Sequence, residues 1–155
     1  MLKLDFYNHT KRRAPKNLFA RLLKTAERVL IKEKKMISAQ KFCIETSLIG
    51  NALMARINKK YRHKKCPTDV ISLSYFRRSR GARFSSASER VSRTFIGEIF
   101  ICMPYAVKQA RKLKHTLNKE LQFLFIHGLL HIFGYDHGNK EEFEKMQRLT
   151  EEILV

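Results

Sequence analysis

The sequence predicts an α+β fold, an α/β sandwich in which a small mixed four-stranded sheet packs with about five helices. Three observations lead there. Along the chain the local patterns run strand, helix, strand, helix, two strands, three helices, an order that suits layered packing. With 155 residues the chain is long enough to bury a core without staples and fits one domain, 1–155. Its 44% hydrophobic and 10% aromatic content argues against a disordered chain.

Leu2 to Tyr7 alternates apolar and polar residues, the period of a half-buried strand, and HTKRRAPKN then reads as a turn closing with Pro15. Leu18, Phe19, Leu22, Leu23, Ala26, Val29 and Leu30 share one stripe, which predicts a helix over 16–34 with Lys and Arg on its other face. Lys41 to Ile49 is β-branched and alternating, and a short helix from Asn51 to Tyr61 follows. Val70 to Phe76, entered through Cys66-Pro67-Thr68-Asp69, and Phe95 to Cys102 read as strands.

Between those two strands lies RRSRGARFSSASERVSR, residues 77–93, with six Arg and five Ser. A segment of this kind is either a solvated connection or a contact with RNA or another polyanion. From Pro104 the chain reads as helical almost to its end: Tyr105 to Lys114, Asn118 to Phe133, and Asn139 to Leu154. The last helix has an Asn139-x-x-Glu142 start signal and a stripe of Phe143, Met146, Leu149 and Ile153.

The charge is strongly one-sided. Thirty-two Lys and Arg against 14 Asp and Glu leave a net +18, which calls for an anionic partner, nucleic acid or an acidic membrane surface. It is also unevenly placed: residues 1–41 and residues 42–95 each carry 12 basic and 3 acidic side chains, while residues 96–155 carry 8 of each. Apolar runs reach only about five residues, as in Ile99 to Met103, against the roughly 20 of a membrane span. The start lacks a signal-peptide core, so a membrane partner is not expected. Cys43, Cys66 and Cys102, odd in number and without CxxC spacing, read as core filler in a reducing cytosol rather than as a disulfide framework.

Three of the six histidines fall in His127-Gly-Leu-Leu-His131-Ile-Phe-Gly134-Tyr-Asp-His137. Residues four apart lie on one helical face, so His127 and His131 can aim at one point. Gly134 stands where a left-handed helix end needs a residue without Cβ, after which the chain can double back and deliver His137. Three imidazoles with an open fourth position form the pattern of a catalytic zinc. His9, His63 and His115 lack such company and read as surface histidines. The spacing HxxxHxxGxxH also occurs in metzincin proteases, but those carry a glutamate base directly after the first histidine, where this chain has Gly128.

A second segment, Ile57-Asn58-Lys59-Lys60-Tyr61-Arg62-His63-Lys64-Lys65-Cys66-Pro67-Thr68-Asp69-Val70-Ile71-Ser72, completes a pattern. Together the two segments resemble the YbeY family of metal-dependent endoribonucleases, the rRNA maturation factors. That pattern runs N-x-x-Y-R, P-T-D-V-L-S-F, a G-D-I strand, and H-G-x-L-H-x-x-G-Y-D-H, in this order over essentially the whole chain. Ile71, Leu73 and Glu98 depart from it, Glu98 keeping the carboxylate at a longer reach. The resemblance implies His127, His131 and His137 as ligands of one Zn²⁺, and Arg62 as the arginine of an active cleft. It also implies single-stranded RNA as substrate, with processing of ribosomal RNA, notably the 16S rRNA 3′ end, and late ribosome maturation or quality control as the task.

The chemistry of these residue types fits such a task. Zinc held by three imidazoles lowers the pKa of water to about 7 and polarises phosphoryl oxygens. Arg62 suits bidentate contact with a phosphate, and Lys59, Lys60, Lys64 and Lys65 suit a sequence-independent grip on the backbone. Asp136 and Glu98 are candidates for work around the ligands, Asp136 by orienting an imidazole. Asp69 reads as the holder of its own turn. Whether water or the RNA 2′-OH attacks stays open. The expected partners are RNA and ribosomal subunits rather than DNA, with a cytoplasmic monomer favoured. Two alternatives stand beside the nuclease: a non-catalytic rRNA-binding maturation factor with a structural metal, and a zinc peptidase, against which Gly128 argues.

Overall fold

In a computed structural model, which describes residues 1–14, 16–76 and 94–155, the chain forms nine elements. They are β1 (Leu2–Asn8), α1 (Lys16–Lys32), β2 (Phe42–Ile49), α2 (Asn51–Arg62), β3 (Val70–Ser74), β4 (Thr94–Cys102), α3 (Met103–Lys112), α4 (Leu117–Ile132) and α5 (Lys140–Leu154). The Arg/Ser-rich segment 77–93 and the expected turn end at Pro15 lie outside the described residues. The sheet order is β1-β2-β4-β3, with β1, β2 and β4 parallel and β3 antiparallel at the edge. This is the α+β sandwich with a mixed four-stranded sheet.

The two faces of the sheet are covered unequally. One face packs under α1, α4 and α5 around Phe19, Ile44, Leu48, Ile99, Phe125, Leu129 and Leu149, the main core. The other carries a smaller cluster, Ile49, Met54, Ile71 and Cys102, beneath α2 and α3. Strand alternation separates them: in β4, Ile99 and Ile101 point into the main core while Glu98, Phe100 and Cys102 point the other way. α4 is apolar on most of its circumference because it lies between the sheet and α3, α1 and α5.

Several boundaries shift from expectation for physical reasons. α1 stops at Lys32 because Lys34 adopts a left-handed conformation (φ 56°) and the Lys35 N–H returns to the Leu30 carbonyl. α3 starts at Met103, two residues early, since Pro104 in a first turn loses no needed N–H, and it ends where Lys114 turns left-handed (φ 54°). Phe143 belongs to the apolar stripe of α5 but is 53% exposed, because the first turn of that helix overhangs the core's edge. Of the cysteines only Cys102 is buried; Cys43 is half-buried, and Cys66 is exposed in the loop after α2. His9 and His63 are exposed as expected, whereas His115 is half-buried, its Nε2 3.1 Å from an oxygen of the buried Glu120. No helix among the described residues is long and apolar enough to cross a membrane.

Candidate active site

α4 places His127 and His131 one turn apart, with their Nε2 atoms 3.1 Å from each other. The helix then ends as the sequence predicts. Gly134 takes φ +77°, its N–H reaches the His131 carbonyl at 3.0 Å, and the Tyr135 N–H reaches the Leu130 carbonyl at 3.0 Å. This double closure reverses the chain and brings His137 back over the same helix face. One nitrogen from each of the three imidazoles then lies within 4.8 Å of the other two, so the group could hold a metal ion.

Three features suit that use. Two imidazole nitrogens 3.1 Å apart repel as bare lone pairs, so a proton or a cation between them is needed. The separation approaches the roughly 3.4 Å expected between imidazole nitrogens on a tetrahedral ion with bonds of about 2.1 Å. Burial, then the proximity of His131 and His137, pushes the His127 pKa down to about 4, so its lone pair is free at neutral pH. Burial and His137 lower His131 in the same direction.

Asp136 works on the third histidine. One of its oxygens accepts the His137 backbone N–H at 2.8 Å and lies 3.0 Å from His137 Nδ1. A carboxylate only accepts, so the proton sits on Nδ1 and Nε2 is left as the free donor to a metal. Those same two hydrogen bonds, the backbone one first, hold the Asp136 carboxyl below the usual range.

The histidines line one side of a cleft of about 630 Å³. Arg62, the last residue of α2, stands on its rim, and Asp69, Val70, Ser72 and Ser74 of the β3 edge form the opposite wall. Arg62's positive charge contributes to the depression of both His127 and His131, after the effects of burial and of the neighbouring histidines. The placement of Arg62 has a visible cause in Asn58. This residue is 1% exposed, and its Nδ2 donates to the Cys66 carbonyl at 2.6 Å, tying the loop to the helix. His63 closes α2 in the left-handed region (φ 57°). Asp69 then anchors the loop's end by accepting from Thr68 Oγ1, the Val70 N–H and Gln109 Nε2 at 3.0, 2.8 and 3.0 Å. Burial alone would raise the Asp69 pKa, but these donors outweigh it and keep the carboxylate charged.

Not every expected residue reaches the cleft. Lys59, Lys60, Lys64 and Lys65 are exposed beside Arg62 but do not line it. Glu98 points away: in register with Glu45 and Asp5, it lies on the sheet face opposite α4, and one of its oxygens accepts the Tyr75 hydroxyl at 2.7 Å. Burial, then Glu98 and Asp5, raise the Glu45 pKa there. Gly128 explains the missing peptidase base. Any Cβ at that position would stand 2.9 Å from Ile99 Cγ2, so a glutamate would have to displace that packed side chain.

Sequence reasoning missed Ser72, Ser74 and Phe123. The serines follow from strand period 2 once Val70 is known to face α4. Phe123 lies four residues before His127 on the same helix face, and its ring stacks on that imidazole at 5.9 Å and 24°.

Comparison with known proteins agrees with this geometry. The family model described as endoribonuclease YbeY matches residues 6–155. The chain is 37% identical to the endoribonuclease YbeY of Aster yellows witches'-broom phytoplasma, over 80% of this chain and 75% of that protein. It is 34% identical to that of Pediococcus pentosaceus, over 99% of this chain and 96% of the relative. Among solved structures, the solution structure of TM1509 from Thermotoga maritima superposes with a TM-score of 0.59 at 27% identity, covering 97% of this chain and 89% of that one.

Proposed function

The chain belongs to the YbeY endoribonuclease family, an RNA phosphodiester hydrolase by that membership, and from this premise we propose a zinc-dependent, single-strand-specific endoribonuclease of ribosomal RNA processing. Its task would be the 16S rRNA 3′ end and late maturation or quality control of the ribosome. The convergence of three lone-pair-bearing imidazoles and one arginine on a single cleft carries the reading.

His127, His131 and His137 would hold the ion, three nitrogen donors with one side open to the cleft favouring zinc in a catalytic role. When bound, zinc supplies Lewis acidity toward a phosphoryl oxygen and acidifies water. The rest is the chain's own work. Asp136 keeps the proton on His137 Nδ1. Arg62, always charged and planar, meets the phosphate and takes up the charge that grows on its oxygens in the transition state. Lys59, Lys60, Lys64 and Lys65 hold flanking phosphates by charge, without reading sequence. A single domain over 1–155 acts as a cytoplasmic monomer on ribosomal subunits, with RNA rather than DNA as substrate.

The test uses purified wild type, His127→Ala and Arg62→Ala on single-stranded rRNA fragments, with and without chelator. Cleavage should vanish with chelator and in His127→Ala, and fall at least about a hundredfold in Arg62→Ala, the order expected for one lost transition-state donor. Circular dichroism checks folding, since removing a ligand can loosen the helix end. Equal cleavage in all samples would overturn the enzyme reading.

A further inference from the structure

Beside the histidine cleft lies a second opening that the phosphate chemistry does not use. It measures about 410 Å³ and sits between α4 and α5, with Phe123 and Phe143 at its lips and Met146, Leu154, Gln147 and Glu151 between them. Phe123 is 44% exposed and Phe143 53%, large apolar surfaces that a chain so rich in charge leaves open to water. The two openings adjoin, since Phe123, His127 and His137 line both.

We propose that this pocket takes one nucleobase of the single-stranded RNA, next to the phosphate held at the histidines, stacked against Phe123 and Phe143. The inference rests on the nuclease reading above and extends it to substrate recognition. The occupant follows from charge and shape. The RNA backbone has its place on the Arg62 side, where the chain is basic. The second pocket instead carries the Glu151 carboxylate, which repels phosphate, along with an apolar lining, which suits a base. Phe123 is already held parallel to the His127 ring, so its free side is a prepared stacking surface. Gln147 and Glu151, with Gln147 Nε2 3.3 Å from Glu151 Oε1, place donors and acceptors where a base edge would end. In a duplex the faces of the bases are already stacked on one another, so the pocket also gives a physical source for single-strand preference.

The test steps one abasic residue through a ten-nucleotide RNA and compares cleavage by wild type, Phe143→Ala, Phe143→Tyr and Phe123→Ala holoenzymes. In one register the abasic residue should raise KM about tenfold in wild type, the loss expected for one base–aromatic stack. That penalty should vanish in Phe143→Ala, return in Phe143→Tyr, and leave kcat within about twofold. An abasic penalty of equal size in wild type and Phe143→Ala at every position would overturn the proposal. So would a Phe143→Ala protein whose sedimentation changes while its KM does not, since a second copy would then be the occupant. A parallel titration places 2-aminopurine at each position and follows its quenching. If wild type cleaves no RNA, the nuclease reading has failed, and this titration decides the pocket alone: quenching lost in Phe143→Ala supports it, and no quenching at any position overturns it.

Discussion

The helix that carries two of the histidines and the helix that brings Arg62 to the cleft's rim are built on opposite principles. α4 carries nine buried residues, including both of its neighbours to His127, and leans on the sheet closely enough that a Cβ at Gly128 would press on Ile99. α2 has two buried residues, Met54 and Asn58, and presents Arg62 and its lysines to water. The helix that positions His127 and His131 is thus fixed by packing on nearly every side, with His137 exposed in the turn after it, whereas the end of α2 that presents Arg62 is held by a few hydrogen bonds. A metal needs its donors set to within tenths of an ångström before it arrives, while a flexible polyanion can be met by side chains that adjust. That difference in packing suits the two ligands proposed.

The largest test of this contrast is the metal itself. Zinc at about 100 times its Kd should raise stability by about 2.7 kcal/mol, if it binds the folded chain alone. By thermal unfolding that is roughly 5–10 °C for a chain of this size. His131→Ala should lose the whole increment and Lys60→Ala none of it. Loss of the increment in Lys60→Ala would mean that the two helices are one cooperative unit.

Next in size is the close approach of α4 to the sheet. Gly128→Ala should cost about 1–3 kcal/mol in urea unfolding, the range for overpacking. The new Cβ would meet Ile99 Cγ2 at 2.9 Å, and both residues belong to the packed core. Because Ile99→Ala removes that atom, the double variant should lose less than the sum of the two single losses. The counterpart on α2 is Asn58→Ala, which removes the donor to the Cys66 carbonyl. It should cost only about 1 kcal/mol, an ordinary hydrogen bond, yet lower kcat/KM for RNA by roughly tenfold or more through a misplaced Arg62. Zinc affinity should stay unchanged.

This contrast also marks what could be read from sequence. The histidine cluster was legible because its cause is local: 3.6 residues per turn, a glycine free to turn left-handed, and a histidine three residues on. The element order was legible from the periods of the apolar residues, and the Asn139 cap from its spacing to Glu142, whose N–H it accepts at 2.9 Å. Glu98 was misjudged because a period of two gives alternation but not which face α4 will cover, and that is settled only by the packing of Ile99 under Gly128. Phe143 was misjudged because a helical stripe fixes angle around the axis, not how far the helix overhangs its support. Asn58 appeared in the sequence pattern without a reason; its reason is a hydrogen bond across eight residues of chain. The pairing of β1 with β2 and of β2 with β4 joins distant segments, and nothing local specified it.

Acid should separate His127 from Asp69 with a smaller effect. The folded pKa of His127, about 4, lies below its unfolded value near 6.5. Between these values the unfolded chain binds a proton that the folded chain refuses. Stability from this group is therefore complete above about pH 6.5 and is lost as pH falls toward 4. Asp69 has the opposite origin: its folded pKa is depressed below the ordinary carboxylate value, so its contribution is complete in mild acid and is lost as pH falls from that ordinary value through the lower folded one. In chelator, the Tm at pH 5 should be lower than at pH 7.5 for wild type. His127→Phe, which has no proton to bind, should show a smaller drop. An equal drop in both proteins would remove His127 as the cause.

The smallest effect belongs to the exposed lysines, and it is the one that isolates the basic segment around Arg62. If Lys59, Lys60, Lys64 and Lys65 each meet a phosphate, the logarithm of RNA affinity should fall with the logarithm of salt, and each lost contact should flatten the slope by about 0.7. Lys60→Ala and Lys64→Ala should each show that change, measured by fluorescence anisotropy between 50 and 200 mM salt, about the range over which such slopes are resolved. Neither should shift the Tm by more than about 2 °C, since both side chains are exposed and the contact Lys60 makes, its ammonium 5.0 Å from the centroid of the exposed Tyr61 ring, is a weak surface one. Arg62→Ala should flatten the slope by a similar amount and in addition lower kcat, because Arg62, unlike these four lysines, lines the cleft. A lysine variant that lowers kcat without changing the salt slope would break the division, since it would place that lysine at the reacting phosphate rather than on the flanking backbone.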